Sequence, residues 1–356
     1  MPIHPLLPTL ARLLRKSKRH TDYPRPLIGA AVPETVSVVT DRRHTNCLRP
    51  ILGTAAALTM ASVVCGPVGA KGAPPVIGMY RIVQVGRGDT LNKIARRYSV
   101  NVQVLAALNQ VRSGKLKTGQ ELTLPLLHVM PTIPEDGIVL NVPERQVYVV
   151  RNSVCVATFP VSVGQAEWPT AIGKYSISSR VVNPRWVPTR SMIERTQIRD
   201  EPVEPGPDNP LGDRWIGWSA KGYGFHSTIA PNSIGSAASH GCVRLYPEAA
   251  HKLFDLVKKG DTIYSVYEPV VVGQRRGRYY LCVFPDIYNQ GGDLLDRAKS
   301  ILRKSLPPGS VNMEEVAEIV RSHDGYPIPL GVARWSVQKK PGYAPVQRKA
   351  HAAKHS

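Results

Sequence analysis

The sequence is poor in three things. Cysteine occurs five times in 356 residues, aromatic side chains make up 6%, and 26 acidic residues stand against 46 lysines and arginines, a formal net charge of +20. Such an excess of one sign attracts polyanions, whether nucleic acid, anionic lipid or an acidic wall polymer. The scarcity of aromatics and the lack of any nucleic-acid-binding motif set nucleic acid aside. The chain also lacks a long apolar run. Its plainest one, "ILGTAAALTMASVVC" from Ile51 to Cys65, falls short of the ~20 residues that a membrane span needs. With 32 prolines and 29 glycines beside so few aromatics, long helices are disfavoured and loops and β structure expected.

What is present divides the chain. Its length is too great for one ordinary core and predicts two or three domains. Residues 1–74 read as an N-terminal extension. Arg42, Arg43 and Arg49 precede the apolar run and "GPVGAKGA" follows it, the order of basic flank, apolar stretch and small-residue exit found in secretory signals. The pattern predicts export, with a retained membrane anchor as the alternative. Residues 337–356, with "VQRKAHAAKHS", read as a basic solvated tail. Beyond the exit the chain keeps Cys155, Cys242 and Cys282. An odd number leaves at least one thiol unpaired within the chain, which in an oxidising compartment calls for a reason.

Residues 79–126 form a small module. "YRIVQV" alternates like a strand; Gly88-Asp89-Thr90 makes a turn with a helix cap. Leu91, Ile94, Ala95 and Tyr98 recur at helical spacing, Asn101 caps a second helix with Leu105 and Leu108, and "GQELTLP" closes with a strand. The order is βααβ. The text "V..GDTL..IA.RY.V.V..L..LN" with "L..GQ.L.LP" closely resembles the LysM module. That resemblance implies binding of N-acetylglucosamine-containing glycan strands such as peptidoglycan, through Gly88, Asp89, Thr90 and Asn109. Turn-building and capping call for the same residue types and remain the alternative for each.

After a linker-like "LLHVMPTIPEDG", residues 134–268 carry strand runs every eight to twelve residues: "IVLNV", "QVYVV", "VCVATFPVSVG", "TAIGKYSI" and, at the end, "DTIYSVY". That spacing predicts a β-sandwich or barrel. Patterning fades from Val182 to Asp213, a long loop of the kind that covers sites. Pro247 opens a helix whose face carries Ala250, Leu253, Phe254 and Val257, with Gly260 as its stop. Residues 269–336 add strand-like pieces and two amphipathic helices, Asp293 to Lys304 and Asn312 to Arg321, a short α/β extension.

The chemistry concentrates in "ASHGCVRL", Ala238 to Leu245. A thiol attacks a carbonyl as thiolate, and an ordinary cysteine is mostly protonated at neutral pH. An imidazole can take the proton, while Arg244 and the helix start add positive potential. Gly241 lets backbone amides approach a developing oxyanion. His240 and His226 are the two candidate bases. His226 is favoured, because a residue from another element can approach where a neighbour two positions away rarely reaches across its own turn. The competing readings are a buried structural cysteine, against which Gly241 and Arg244 argue, and a zinc site of His226, His240 and Cys242, which lacks a fourth ligand. Cys155 and Cys282 lie in apolar strand runs and read as core. No metal and no organic cofactor are expected.

The span from Ile138 to Tyr267 resembles the L,D-transpeptidase catalytic domain (YkuD-type fold, periplasmic ErfK-like branch). The likeness rests on His226 followed by Ser239-His240-Gly241-Cys242-Val243-Arg244, and on "TAIGKYSI", "NPRWVPT" and "PGPDNPLG". It implies Cys242 as nucleophile and His226 as proton acceptor and donor, oriented through the Ser227 carbonyl. Ser239, His240 and Gly241 would shape the thiol pocket and oxyanion hole. Arg244, Trp186 and Tyr223 would bind substrate. The implied reaction is acyl transfer on peptidoglycan stem peptides, with the third-position diamino acid passed to a second stem, to a lysine of an envelope lipoprotein, or to water. The fold class expected is mainly β, a barrel-like catalytic domain with a βααβ LysM domain and the α/β extension. The expected location is the periplasm or cell envelope, with membrane contact only if the N-terminal apolar segment is retained. The rival functions are a cysteine endo- or carboxypeptidase on the same polymer and a non-catalytic wall-binding protein.

Overall fold

The computed structural model describes residues 73–331 apart from 113–114 and 133–134. The apolar run at 51–65, nearly all of the N-terminal extension and the basic tail lie outside the described residues.

The first folded unit begins with β1 (Val76–Gly78) and β2 (Arg81–Gln84), followed by α1 (Leu91–Tyr98), α2 (Val102–Leu108), β3 (Glu121–Leu124) and β4 (Leu127–Val129). Thr90 caps α1 by accepting from the Lys93 N–H, and Asn101 caps α2 by accepting from Gln103 and Val104. Such caps satisfy donors that the first helical turn leaves open. β2 pairs with β3, and the helices close over them on Val83, Val85, Ile94, Ala95, Val100, Leu105, Leu122 and Leu124. The stretch after this module is more than a linker: β4 pairs antiparallel with β1 and packs with Val271, Cys282 and Phe284 of the C-terminal part.

The central domain contains β5 (Gly137–Asn141), β6 (Gln146–Arg151), β7 (Val154–Gly164), β8 (Gly173–Val182), α3 (Arg190–Thr196), β9 (Arg214–Trp218), β10 (Gly224–His226), β11 (Ala237–Ser239), β12 (Val243–Leu245), α4 (Pro247–Leu256) and β13 (Thr262–Val266). Their order is β11-β7-β12-β10-β9-β8-β13-β5-β6, and a further β6–β7 pairing closes the ring with β11 attached to its rim. Pairings are mixed; β10 runs parallel to β12 and β13 parallel to β5. "IVLNV" and "QVYVV" are buried at every position, Asn141 and Gln146 included, because both faces of β5 and β6 are covered. Ile138, Leu140, Val147 and Val149 face the barrel core, while Val139, Tyr148 and Val150 pack outward against Met130 and Tyr264. Each large side chain so buried contributes ~1.5–3 kcal/mol.

Three details differ from the sequence reading. The stretch from Val182 to Asp213 is not uniformly irregular. It contains α3, capped by Thr189, and a bridge from Trp186 to Val203. α4 ends at Leu256 with an extended Val257, so Gly260 (φ 91°) serves the turn into β13 and is not the helix stop. Strand β12 separates Cys242 from α4, so the nucleophile does not stand at that helix's positive end.

The chain then makes β14 (Val270–Arg275), β15 (Arg278–Val283), α5 (Leu294–Ser305), α6 (Met313–Ser322) and β16 (Ile328–Pro329). A three-stranded antiparallel sheet carries both helices on a separate core that includes Val272, Leu281, Leu302 and Val316.

Candidate active site

The site is built on two short parallel strands. In β10 and β12, Phe225 pairs with Val243 and His226 with Arg244. Phe225 and Val243 point into the core. Because side chains alternate along a strand, Gly224, His226, Cys242 and Arg244 share the opposite face. Cys242 and His226 are thereby diagonal neighbours on one surface, and Gly224, beside the thiol, contributes no side chain to block it.

His226 is buried at 5% exposure. Its Nδ1 lies 2.5 Å from the Ser227 carbonyl oxygen. A carbonyl only accepts, so Nδ1 carries the proton and Nε2 keeps a lone pair. Burial, reinforced by the positive charge of Arg244, lowers the His226 pKa to about 4, although the Ser227 and Leu211 carbonyls favour the charged ring. Ser227 is itself fixed. Its N–H donates to the Arg214 carbonyl at 3.0 Å, and the left-handed Gly212 packs so closely that a Cβ there would lie 2.7 Å from its side chain. Trp215, paired with His226 across β9, holds its ring 6.1 Å from the imidazole.

The Cys242 thiol is half-buried and donates toward the Gly222 carbonyl at 3.3 Å. Burial raises its pKa to about 11, against the opposing pull of a Gly224 hydrogen bond and of Arg244. The resting pair is therefore neutral thiol and neutral imidazole, not a preformed thiolate. The positive groups expected to ionise the sulfur are outweighed by its removal from water.

The turn ahead of Cys242 is closed by Ser239, whose Oγ donates to the Cys242 carbonyl at 2.5 Å and accepts the Gly241 N–H at 3.2 Å. That second bond draws the Gly241 amide into the turn, so it is not aimed at the groove as an oxyanion donor would be. Gly241 has φ 103°, a conformation that L side chains rarely adopt, and a Cβ there would lie 3.1 Å from the Tyr223 ring. Tyr223 is thus placed against the nucleophile turn; burial and nearby Cys242 raise its pKa. His240 is exposed and meets Trp168 edge-on at 4.7 Å. The guanidinium of Arg195, on α3, lies 4.0 Å over the same indole. Arg244 reaches Ser233 Oγ at 3.5 Å. Trp186 lies ahead of α3. Its backbone is tied to Val203, and among the described residues no hydrogen bond or ring contact joins it to Cys242 or His226.

In the small module, Gly88 and Thr90 lie exposed on the first loop, but Asp89 and Asn109 are engaged internally. Asp89 holds Arg97 through bonds of 2.6 and 3.0 Å and accepts the Gly86 N–H. The Asn109 amide donates to Leu105 and Thr123 carbonyls and accepts from the Thr123 N–H, fastening α2 to β3.

Sequence reasoning missed Gly164, Trp168, Thr170, Trp215 and Tyr288. Thr170 is buried; its Oγ1 accepts the Gly164 N–H and donates to the Gly241 carbonyl, both at 2.8 Å. Trp168 lies just ahead of "TAIGKYSI" and Thr170 opens it, but nothing in their spacing announces a contact seventy residues away. Among the described residues no group of three or more metal-ligating side chains occurs.

A profile of the L,D-transpeptidase catalytic domain matches residues 135–272, and one of the LysM domain matches residues 83–125. A probable L,D-transpeptidase of Escherichia coli (strain K12), YcfS, is 32% identical over 197 residues, covering 52% of this chain and 61% of that protein. A second from the same strain, YbiS, is 30% identical over 219 residues, covering 59% of this chain and 71% of that protein. The putative L,D-transpeptidase YkuD of Bacillus subtilis (strain 168) is 28% identical over 180 residues, covering 51% of this chain and 95% of that protein.

Proposed function

Since the chain belongs to the L,D-transpeptidase family, we propose that it transfers acyl groups between peptidoglycan stem peptides, with Cys242 as nucleophile and His226 as its base. The observation that supports this reading is the β10–β12 register, by which thiol and imidazole fall diagonally on one face, with Nδ1 of the ring turned to the Ser227 carbonyl. In the first half-reaction His226 Nε2 takes the Cys242 proton as sulfur attacks the carbonyl of the third-position diamino acid. The Cys242 N–H steadies the oxyanion, since the Gly241 N–H is occupied. The tetrahedral adduct collapses, the C–N bond to the terminal D-alanine breaks, and His226 returns the proton to the departing amine. A thioester remains. In the second half-reaction an acceptor amine attacks it, His226 takes the amine proton, and the thiol is restored. Splitting one hard step into two in this way is covalent catalysis.

Arg244 offers a fixed positive charge to a substrate carboxylate, and Tyr223 lines the approach to the sulfur. The acceptor is a second stem peptide, with an envelope lipoprotein lysine as the alternative amine. The LysM module holds glycan at its exposed Gly88–Thr90 loop, with Asp89 and Asn109 maintaining the loop's shape. Its Arg96 meets Glu248 of α4 at 2.6 Å, and glycan held on the same chain stays near the thiol. This chemistry belongs in the cell envelope, the destination that the N-terminal signal pattern implies. Among the described residues no helix is long and apolar enough to cross a membrane.

The test is intact-protein mass spectrometry after incubation with a tetrapeptide muropeptide. Wild type should gain the mass of the acyl group and Cys242→Ala should not; with an acceptor present, crosslinked dimers should appear. Equal behaviour of the two proteins refutes the enzyme, and trimmed monomers alone refute transfer in favour of hydrolysis.

A further inference from the structure

One hydroxyl group of the C-terminal extension bonds two residues that touch the nucleophile turn. Tyr288 lies between β15 and α5, beyond the residues matched by the catalytic-domain profile. Its hydroxyl donates to the Gly164 carbonyl at 2.6 Å and accepts the Thr170 N–H at 3.0 Å. Both partners bear on the nucleophile turn. Thr170 Oγ1 holds the Gly241 carbonyl, and Gly164 approaches so closely that a Cβ on it would lie 3.0 Å from Gly241 Cα.

The Gly241 carbonyl and the Cys242 N–H belong to one planar peptide unit and point in opposite directions. Fixing the oxygen on one side therefore aims the N–H on the other. Tyr288 is well anchored for such a task. Its own N–H donates to the Tyr267 hydroxyl at 2.7 Å, and that hydroxyl donates to Asp286 at 2.5 Å. The two rings stack at 5.6 Å. Asp286 also accepts from Gln290 and Gly291, at 3.0 and 2.9 Å, which closes the turn that carries Tyr288. Burial raises the Tyr288 pKa, so the phenol keeps the proton that it donates.

We infer that Tyr288 is a positioning residue for the acyl-transfer step: through Thr170 and Gly164 it fixes the Gly241–Cys242 peptide plane, and so aims the Cys242 N–H at the developing oxyanion. This rests on the transpeptidase reading. It assigns to the extension a part in the reaction that packing alone would not give it.

The test uses the full chain and Tyr288→Phe, which removes the hydroxyl and keeps the ring stack. Three quantities are compared with wild type: acyl-enzyme formation with the tetrapeptide muropeptide, alkylation of Cys242 by iodoacetamide, and backbone hydrogen exchange. Alkylation has no oxyanion and reports thiol reactivity alone. Acylation should slow by about tenfold, the effect of weakening one or two hydrogen bonds, with the half-saturating concentration unchanged. Alkylation should stay within about twofold, since no charge near the sulfur changes. Exchange should quicken in the peptide covering residues 238–245 and not in β14 or β15. Unchanged acylation overturns the inference. So does a parallel fall of acylation and alkylation with exchange rising through the whole extension, which marks a structural role. If wild type takes no acyl group, the transpeptidase reading fails; the exchange measurement still decides positioning, and unchanged protection at 241–243 overturns it.

Discussion

Replacing His226 by Gln should remove one defined part of the protein's acid sensitivity. The folded chain holds this imidazole neutral, with its pKa lowered from 6.5 to about 4, chiefly by burial and next by Arg244. Between those values the unfolded chain binds a proton that the native chain refuses. The unfolded state then carries more protons, so stability rises with pH across that window. His226's contribution is complete above about pH 6.5 and is lost as pH falls toward 4, in total ~3 kcal/mol. Between pH 8 and pH 5 the share lost is ~2 kcal/mol, or about 4–8 °C in Tm for a domain of this size. Thermal unfolding followed by tryptophan fluorescence reads the catalytic barrel, because Trp215 and Trp218 lie in β9 beside the site. The quantity to compare is the drop in Tm from pH 8 to pH 5 in wild type and in His226→Gln. All other groups are common to the two proteins and cancel. The variant's drop should be smaller by about 4–8 °C. An equal drop would show that His226 is not held neutral, and the proton-acceptor role argued from that state would go with it. The alkaline limb has the opposite sign. Cys242 is raised from 9.0 to about 11, so the unfolded chain loses its thiol proton first and stability declines as pH climbs from 9 to 11. The decline should be smaller in Cys242→Ala, while Cys282 and tyrosines such as Tyr148 and Tyr246, also raised by burial, contribute equally in both proteins.

Two further outcomes follow from the packing. Gly164→Ala places a Cβ 2.1 Å from the Trp168 carbonyl oxygen and 2.8 Å from the Thr170 nitrogen; backbone cannot yield cheaply, so a destabilisation of about 1–3 kcal/mol is expected, with reduced acyl-enzyme yield in the muropeptide assay, and wild-type acylation would contradict the described contact. Asn109→Ala should loosen the module by ~2 kcal/mol through loss of its bonds to Leu105 and Thr123, seen as faster hydrogen exchange in β3 and weaker pull-down on peptidoglycan. Lost pull-down with β3 exchange unchanged would instead place Asn109 against the glycan.

The small module was readable from its text because its stabilising interactions are local. Thr90 and Asn101 cap helices within three residues of themselves, and the apolar positions of α1 follow helical spacing. The β meander was readable because alternation and turn residues act over a few positions. The boundaries that went astray, the end of α4 and the strand role of Leu127–Val129, were decided by packing against distant parts of the chain. At the site, the sequence offered Cys242, His226 and Gly241 as candidates, since a thiol, an imidazole and a permissive backbone position are chemical properties of residues. Their protonation was not readable. Burial outweighs Arg244 and leaves the thiol neutral, and burial depends on what the closed ring of strands puts around it. Tertiary structure also decided which tryptophans border the site, and that Tyr288 reaches it at all. Apart from Trp215 against His226, those contacts link residues dozens to more than a hundred positions apart, and no local propensity or spacing rule carries information across such a distance.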